Sequence, residues 1–164
     1  MIAPLLLSLA LLAAPTVPIA VVADRSDPVQ TGVQDSYYQG EFYRKSQEPI
    51  RKCIGQREGR FQYWGTGNNG FYEGTYQVTD ALAVGAGWMM RKELREMWGV
   101  TVGNEISRAL RETPAHKWHR FYQDMMFFTV ANWRGDGVGL THWRGGPLWL
   151  LSVTSVDSRQ RIRV

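Results

Sequence analysis

"QREGRFQYWGTGNNGFYEGTYQV", residues 56–78, joins the end of a helical pattern to an aromatic segment rich in glycine and asparagine. The pattern before it predicts a helix over residues 46–58, and Gly59 is a natural stop. After Gly59, short aromatic runs alternate with polar residues. Asn69-Gly70 favours the positive φ angles of a tight hairpin. The stretch therefore predicts a helix followed by a small antiparallel sheet.

The rest of the chain is dominated by helical patterns. Residues 81–99 favour a helix with an interruption near Gly85 and Gly87. A second helix is predicted over 102–112, and a long one over 115–133, where apolar residues recur at three- and four-residue spacing. Helices around one small sheet define an α+β fold that is mainly helical, with the antiparallel hairpin beside a cleft.

The order of composition along the chain predicts four segments. Residues 1–23 carry no charged side chain and are typical of a secretory signal, with Asp24 as the first mature residue and an uncleaved anchor as the alternative. Residues 24–45 are polar and aperiodic, as in a linker or an arm packed on the domain. A single domain is predicted over 46–145, followed by an extension over 146–164. The expected location is outside the cell or at the cell wall.

Composition limits the function classes. The 164 residues carry a net charge of +4, which is compatible with an anionic polymer as partner. The only cysteine, Cys53, excludes an intramolecular disulfide framework. The three histidines lack an acidic or cysteine partner at a ligand spacing, so they are interpreted as surface residues and neither metal nor cofactor is expected: His116, His119 and His142.

Glu58 is the candidate catalytic acid. It extends the apolar stripe of the first predicted helix, formed by Ile50, Cys53 and Ile54. Apolar surroundings and the negative end of the helix dipole both favour the protonated acid. A protonated carboxylic acid is what a departing glycosidic oxygen requires. The alternative is that the carboxylate pairs with a nearby arginine, for which the candidates are Arg51, Arg57 and Arg60.

The hairpin carries the candidate substrate-binding residues. Flat aromatic faces flanked by amide and hydroxyl groups suit sugar rings, which present C–H faces and hydroxyl edges. The residues that combine these properties are Trp64, Tyr72, Thr75, Tyr76 and Gln77. The alternative is that aromatic residues of a small sheet only build the core.

The segment "RKCIGQREGRF…GNNGFYEGTYQV" resembles secreted actinobacterial lysozyme-like proteins, namely the resuscitation-promoting factors and related transglycosylase-like domains. Cys53, Arg57 and Glu58 match the helix that delivers the family's glutamate, and 74–77 match the floor of its cleft. "YQDMMFFTVANWRGDGVGLTHW", 122–143, is similar to the closing helix and loop. The resemblance implies a lysozyme-like fold and a monomer that cleaves the β-1,4 glycosidic bond of peptidoglycan strands.

The mechanism is left open between two outcomes. A lysozyme needs a second carboxylate about 5–10 Å from the first, for which Glu73 is preferred over Asp80, itself interpreted as a helix cap. A lytic transglycosylase needs only Glu58, which favours it slightly. Gly59 stands where the family often has serine, so a non-catalytic glycan-binding protein is the main alternative. Nucleic-acid binding through dispersed arginines is a third.

Overall fold

The structure, a computed structural model, describes residues 18–143. Over that range it confirms the mainly helical α+β class, with five α-helices around one two-stranded antiparallel sheet. In chain order the elements are α1 (Glu48–Gly59), β1 (Thr66–Gly67), β2 (Tyr72–Glu73), α2 (Asp80–Met89), α3 (Arg91–Trp98), α4 (Val100–Glu112) and α5 (Arg120–Asn132). The expectations for residues 1–17 and for the extension 146–164 lie outside the described residues.

The hairpin forms where the sequence predicts it. Thr66 lies opposite Glu73, and Gly67 opposite Tyr72. Between the strands, Asn68, Asn69 and Gly70 have φ angles of 48°, 56° and 90°. Asparagine and glycine tolerate this left-handed region, which most residues avoid. Local turn chemistry is therefore sufficient to place the reversal.

The predicted interruption at the glycines of residues 81–99 is wrong, because α2 runs through both and ends at Met89. Gly87 serves close packing instead. A Cβ atom there would lie 2.7 Å from Cγ of Arg111. The Ser107 hydroxyl also donates a hydrogen bond to the Gly87 carbonyl at 2.8 Å. The missing side chain thus lets α4 approach α2, and the helix continues past the glycine.

The long helix predicted from residue 115 begins later, at Arg120. Trp118 and His119 have ψ angles of 142° and 144°, which break the helical path. The His119 imidazole caps α5, since its Nδ1 accepts the Phe121 N–H at 3.1 Å. All residues of α5 are buried, and this helix forms the centre of the core.

The His119 cap predicts a pH dependence of stability. Burial lowers the pKa of His119 below its ordinary value of 6.5, so the folded protein binds this proton less tightly than the unfolded chain. The stabilisation is therefore complete above pH 6.5 and is lost as pH falls towards the lower folded pKa. Urea unfolding between pH 8 and pH 5 should show this loss. His119→Asn keeps a capping side chain and should reduce the slope, whereas an unchanged slope would contradict this account.

Residues 24–45 form an arm that packs against the helices. Tyr38 is fully buried in the core. Its hydroxyl donates to the Glu93 carboxylate of α3 at 2.8 Å, and the backbone N–H of Glu41 donates to the same carboxylate at 2.6 Å. Burial raises the pKa of Glu93 above its ordinary value. Gly40 approaches this carboxylate so closely that a Cβ would collide with it. The arm is thus part of the folded domain.

Residues 18–23, which the sequence interpretation attributes to the signal segment, also contact the domain. The Tyr122 hydroxyl donates to the Ile19 carbonyl at 2.6 Å. The His119 N–H donates to the Val21 carbonyl at 2.7 Å, and the Ala23 N–H donates to the Lys117 carbonyl at 2.8 Å. A chain that begins at residue 24 lacks all three interactions.

Truncation tests the contribution of these residues. We expect the free energy of unfolding to be about 2–4 kcal/mol lower for a chain that begins at Asp24 than for one that begins at Pro18. Each of the three hydrogen bonds contributes about 1 kcal/mol, and the Tyr122 hydroxyl loses its acceptor. Urea denaturation of the two chains measures the difference. Coincident transitions would show that residues 18–23 add nothing to the fold.

Candidate active site

Three sequence motifs meet at the C-terminal end of α1. Gly59 lies against the hairpin, where a Cβ atom would come within 2.5 Å of the Thr75 carbonyl oxygen. The Trp143 indole N–H donates to the Tyr76 carbonyl at 2.9 Å. The Arg57 guanidinium donates to the Trp143 carbonyl at 2.6 Å. The helix end, the hairpin and the closing turn are therefore held together by direct contacts.

Glu58 lies in the last turn of α1 with 29% of its side chain exposed. Its Oε1 accepts from Nε of Arg57 at 2.8 Å and lies 2.5 Å from Nη2 of the same residue. Of the three arginines considered from the sequence, Arg57 is thus the partner. Arg60 instead occupies the left-handed C-cap position with φ 50° and is exposed. Glu58 is accessible to a ligand and carries its own counter-charge.

Arg57 connects the acid to the closing turn. One terminal nitrogen reaches both Glu58 and the Trp143 carbonyl. The other, Nη1, is buried and has no hydrogen-bond acceptor among residues 18–143. Trp143 is itself buried and packs against Phe127 with ring centroids 4.9 Å apart. Through Arg57, the Glu58 carboxylate is therefore connected to the packed aromatic rings of Trp143 and Phe127.

Three of the predicted substrate-binding residues retain accessible surface. Tyr72 is 38% exposed and stands edge-on to the exposed ring of Phe71, with centroids 4.9 Å apart. Trp64 is half-buried and lines a cavity of about 140 Å³ whose other walls come from residues 22–30 and 116–117, and Glu58 does not line it. Gln77 is half-buried, with its amide donating to the Gly74 carbonyl at 2.8 Å.

The expectation that Thr75 and Tyr76 contact substrate needs correction, because both are fully buried. The Thr75 N–H donates to Oε1 of Gln123 at 3.1 Å. The Tyr76 hydroxyl donates to Oδ1 of Asp124 at 2.6 Å. This part of the hairpin faces α5 and supports the core, although the buried Thr75 hydroxyl has no hydrogen-bond partner among residues 18–143.

Glu73, the candidate second carboxylate, also faces inward. It is 8% exposed, and its Oε2 accepts the Ala115 N–H at 2.5 Å. Its Oε1 lies 3.6 Å from Nδ1 of His116. The other candidate, Asp80, is exposed, and the N-cap of α2 is Thr79, whose hydroxyl accepts the Leu82 N–H at 3.3 Å. Of the two residues that the sequence allows as the cap, Thr79 and Asp80, Thr79 fills this position, so the preference for Asp80 is wrong.

The interpretation of the histidines as surface residues holds for only one of them. His142 is exposed, whereas the side chain of His116 is 17% exposed and His119 is half-buried at the start of α5. Their burial reflects the packing of residues 18–23 and Glu73 around the turn Ala115–Lys117. Within residues 18–143, no group of histidine, cysteine and acidic side chains has an arrangement that could hold a metal ion.

The sequence interpretation did not predict a buried charged network between the hairpin and α5. Its centre is Asp124 of α5, which is fully buried. Oδ1 accepts from the hydroxyls of Tyr63 at 2.8 Å and Tyr76 at 2.6 Å, and from Arg51 at 3.3 Å. Oδ2 accepts from Nε of Arg120 at 3.4 Å. Burial, and then the Asp124 charge, raises the pKa of both tyrosines, so their phenols remain donors.

The two arginines of this network extend it to other elements. Arg51 donates to Oε2 of Glu48 at 2.9 Å, and to the Gln34 carbonyl at 2.7 Å. Arg120 donates to several carbonyls of the arm, and its guanidinium lies 4.8 Å from the centre of the Tyr63 ring. Polar residues at 123 and 124 inside an otherwise apolar helical pattern were the only signal of this network in the sequence.

The chain was compared with models of known protein families, with curated proteins and with solved structures, and none of them matches. None of the helices in residues 18–143 is both long and apolar enough to cross a membrane.

Proposed function

We propose that this protein is a secreted, monomeric, lysozyme-like enzyme that cleaves the β-1,4 glycosidic bond of peptidoglycan glycan strands, with Glu58 as the general acid. The observation that carries the proposal is the convergence of three motifs at one end of α1. Arg57 contacts Trp143, Trp143 contacts Tyr76, and Gly59 lies against Thr75. These are the motifs on which the resemblance to lysozyme-like domains rests.

The proposed chemistry begins with proton donation by Glu58. A sugar oxygen is a poor leaving group unless it is protonated as the C1–O4 bond breaks. Glu58 is exposed enough to reach such an oxygen, and its pair with Arg57 must loosen when it takes up a proton. Arg57 keeps a second acceptor, the Trp143 carbonyl, and can remain in place during this change.

The position of Glu73 supports a lytic transglycosylase over a hydrolase. A hydrolase with two carboxylates needs a second one facing the sugar, whereas the Glu73 carboxylate is bonded to the Ala115 N–H inside the protein. In a transglycosylase, the 6-hydroxyl of the substrate attacks C1 after the C1–O4 bond breaks, and its proton passes to Glu58. The product then has a 1,6-anhydro end, and no water is consumed.

The sugar would lie along the exposed side of the hairpin. Tyr72 and Trp64 present aromatic surface, and Gln77 presents an amide. Aromatic faces pack against the C–H faces of sugars, while amides bond to the hydroxyl edges. Thr75 and Tyr76 contribute indirectly, because they fix the backbone of the hairpin to α5.

Product analysis tests the proposal. Purified protein is incubated with isolated glycan strands, and the soluble products are analysed by mass spectrometry. Anhydro ends are the expected result. Reducing ends would retain Glu58 as the acid but make the enzyme a lysozyme. Strands that stay intact through a long incubation would contradict the proposed activity.

A second candidate is a non-catalytic glycan-binding protein with the same cleft. The observation that favours it is the ion pair between Arg57 and Glu58, which gives the acid a counter-charge before any substrate arrives. Strands that remain intact but co-sediment with the protein would support this function. Replacing Tyr72 with alanine should then weaken co-sedimentation, since the exposed ring is lost.

A further inference from the structure

A basic pocket lies on the surface shared by α2, α3 and α4, formed from residues that the proposed cleavage does not use. Its volume is about 240 Å³, and the residues that line it are Trp88, Arg91, Asn104, Glu105, Arg108 and Arg111. We call this site the arginine pocket. Trp88 is 51% exposed.

Two of the three guanidinium groups are held in place before any ligand binds. Arg111 lies over the Trp88 ring, 3.6 Å from its centre, and its Nε donates to the Ser107 carbonyl at 3.1 Å. Arg91 donates from Nε to Oδ1 of Asn104 at 2.8 Å. In both arginines the terminal nitrogens have no acceptor among residues 18–143. Each side chain is therefore oriented through Nε, and its terminal donors remain available.

Gly87 creates the space that Arg111 needs. A Cβ atom on this residue would lie 2.7 Å from Cγ of Arg111, well inside van der Waals contact. Because the glycine has no side chain, the arginine stem crosses α2 and its guanidinium reaches the face of Trp88. The cation–π contact thus depends on a specific backbone position and is not a chance surface encounter.

The charge of the pocket is unbalanced. It contains three arginines and one carboxylate, that of Glu105. Within the described part of the chain, none of these arginines takes part in an ion pair. Guanidinium groups match tetrahedral oxyanions through paired N–H donors, and a phosphate monoester carries a charge of about −2 at neutral pH. A monovalent carboxylate would leave part of the positive charge uncompensated.

We propose that the arginine pocket binds a phosphate group, with Arg91, Arg108 and Arg111 as its donors and Trp88 against the apolar part of the molecule that carries it. Arg108, which is exposed and forms no hydrogen bond with residues 18–143, closes on the ligand from α4. The inference does not depend on the proposed glycosidase activity. Glu58→Gln should leave phosphate binding unchanged.

Titration with inorganic phosphate at constant ionic strength tests this inference. The indole N–H signal of Trp88 and the Nε–H signals of the arginines are followed by NMR. We expect saturable shifts, about tenfold weaker binding in Arg108→Gln, and a similar loss in Gly87→Ala, where Arg111 is displaced. Arg95→Gln is the matched control, because it removes the same charge from an exposed residue of α3 that does not line the pocket.

Comparison probes identify the chemistry and its source. Acetate should bind more weakly than phosphate. Glycerol phosphate should bind like phosphate if a small ester is the ligand, and polyglycerol phosphate should bind more tightly if an anionic wall polymer is. Phosphate shifts that do not saturate, that acetate reproduces at the same affinity, or that keep the parent affinity in Arg108→Gln would overturn the proposal. The proposal would also be overturned if the parent protein bound a DNA duplex while inorganic phosphate gave no shift of the NMR signals.

Discussion

Asp124→Asn is expected to lower the free energy of unfolding by about 3–5 kcal/mol, which is a large part of the about 5–15 kcal/mol available to a domain of this size. The amide preserves the shape of the side chain but removes the negative charge. Of the two fully buried arginines, Arg51 would then keep only Glu48 as an ion-pair partner, and Arg120 would keep none among residues 18–143. Urea unfolding followed by circular dichroism measures the loss.

The matched control for this substitution is Asp136→Asn. Asp136 also pairs with an arginine, Arg44, at 2.9 Å, but its side chain is 69% exposed. Its removal should cost no more than about 1 kcal/mol. If Asp124→Asn does not fold, Tyr76→Phe removes one donor to the same carboxylate and should cost about 1–3 kcal/mol. Equal, small losses for Asp124 and Asp136 would contradict the structural role of the network.

Local signals predicted the elements around the site. The reversal at Asn69-Gly70 depends on the conformational preferences of a few adjacent residues, whereas α1 ends with Arg60 and Phe61 in the left-handed region, one residue after the predicted end. Such preferences do not depend on contacts with the rest of the chain, so the sequence alone is enough to predict their effect. The placement of Glu58 in the last turn of a helix belongs to the same class.

Non-local contacts explain what the sequence interpretation missed. The start of α5 is delayed because Lys117 and His119 hydrogen-bond to Ala23 and Val21, about a hundred positions earlier in the chain. The inward position of Thr75 and Tyr76 depends on Gln123 and Asp124 of α5. Alternation along a hairpin shows that two faces exist, but it does not say which of them meets a helix.

The role of Glu58 leads to the second expected result, a loss of about 10²–10⁴-fold in cleavage rate for Glu58→Gln. The amide has the size of the acid but cannot donate an acidic proton to the departing oxygen. Because Glu58 is partly exposed, losing its pair with Arg57 should cost no more than about 1 kcal/mol of stability. Reduced activity would therefore reflect lost chemistry and not unfolding.

The rate at which new chain ends appear on purified glycan strands tests this role most directly. It is measured for the parent, for Glu58→Gln and for Glu112→Gln, the same change at an exposed residue in the last turn of α4. We predict that Glu112→Gln cleaves at the parent rate and that Glu58→Gln retains about 1% of it or less. Cleavage by a folded Glu58→Gln at the rate of the parent would contradict the proposal that Glu58 is the general acid.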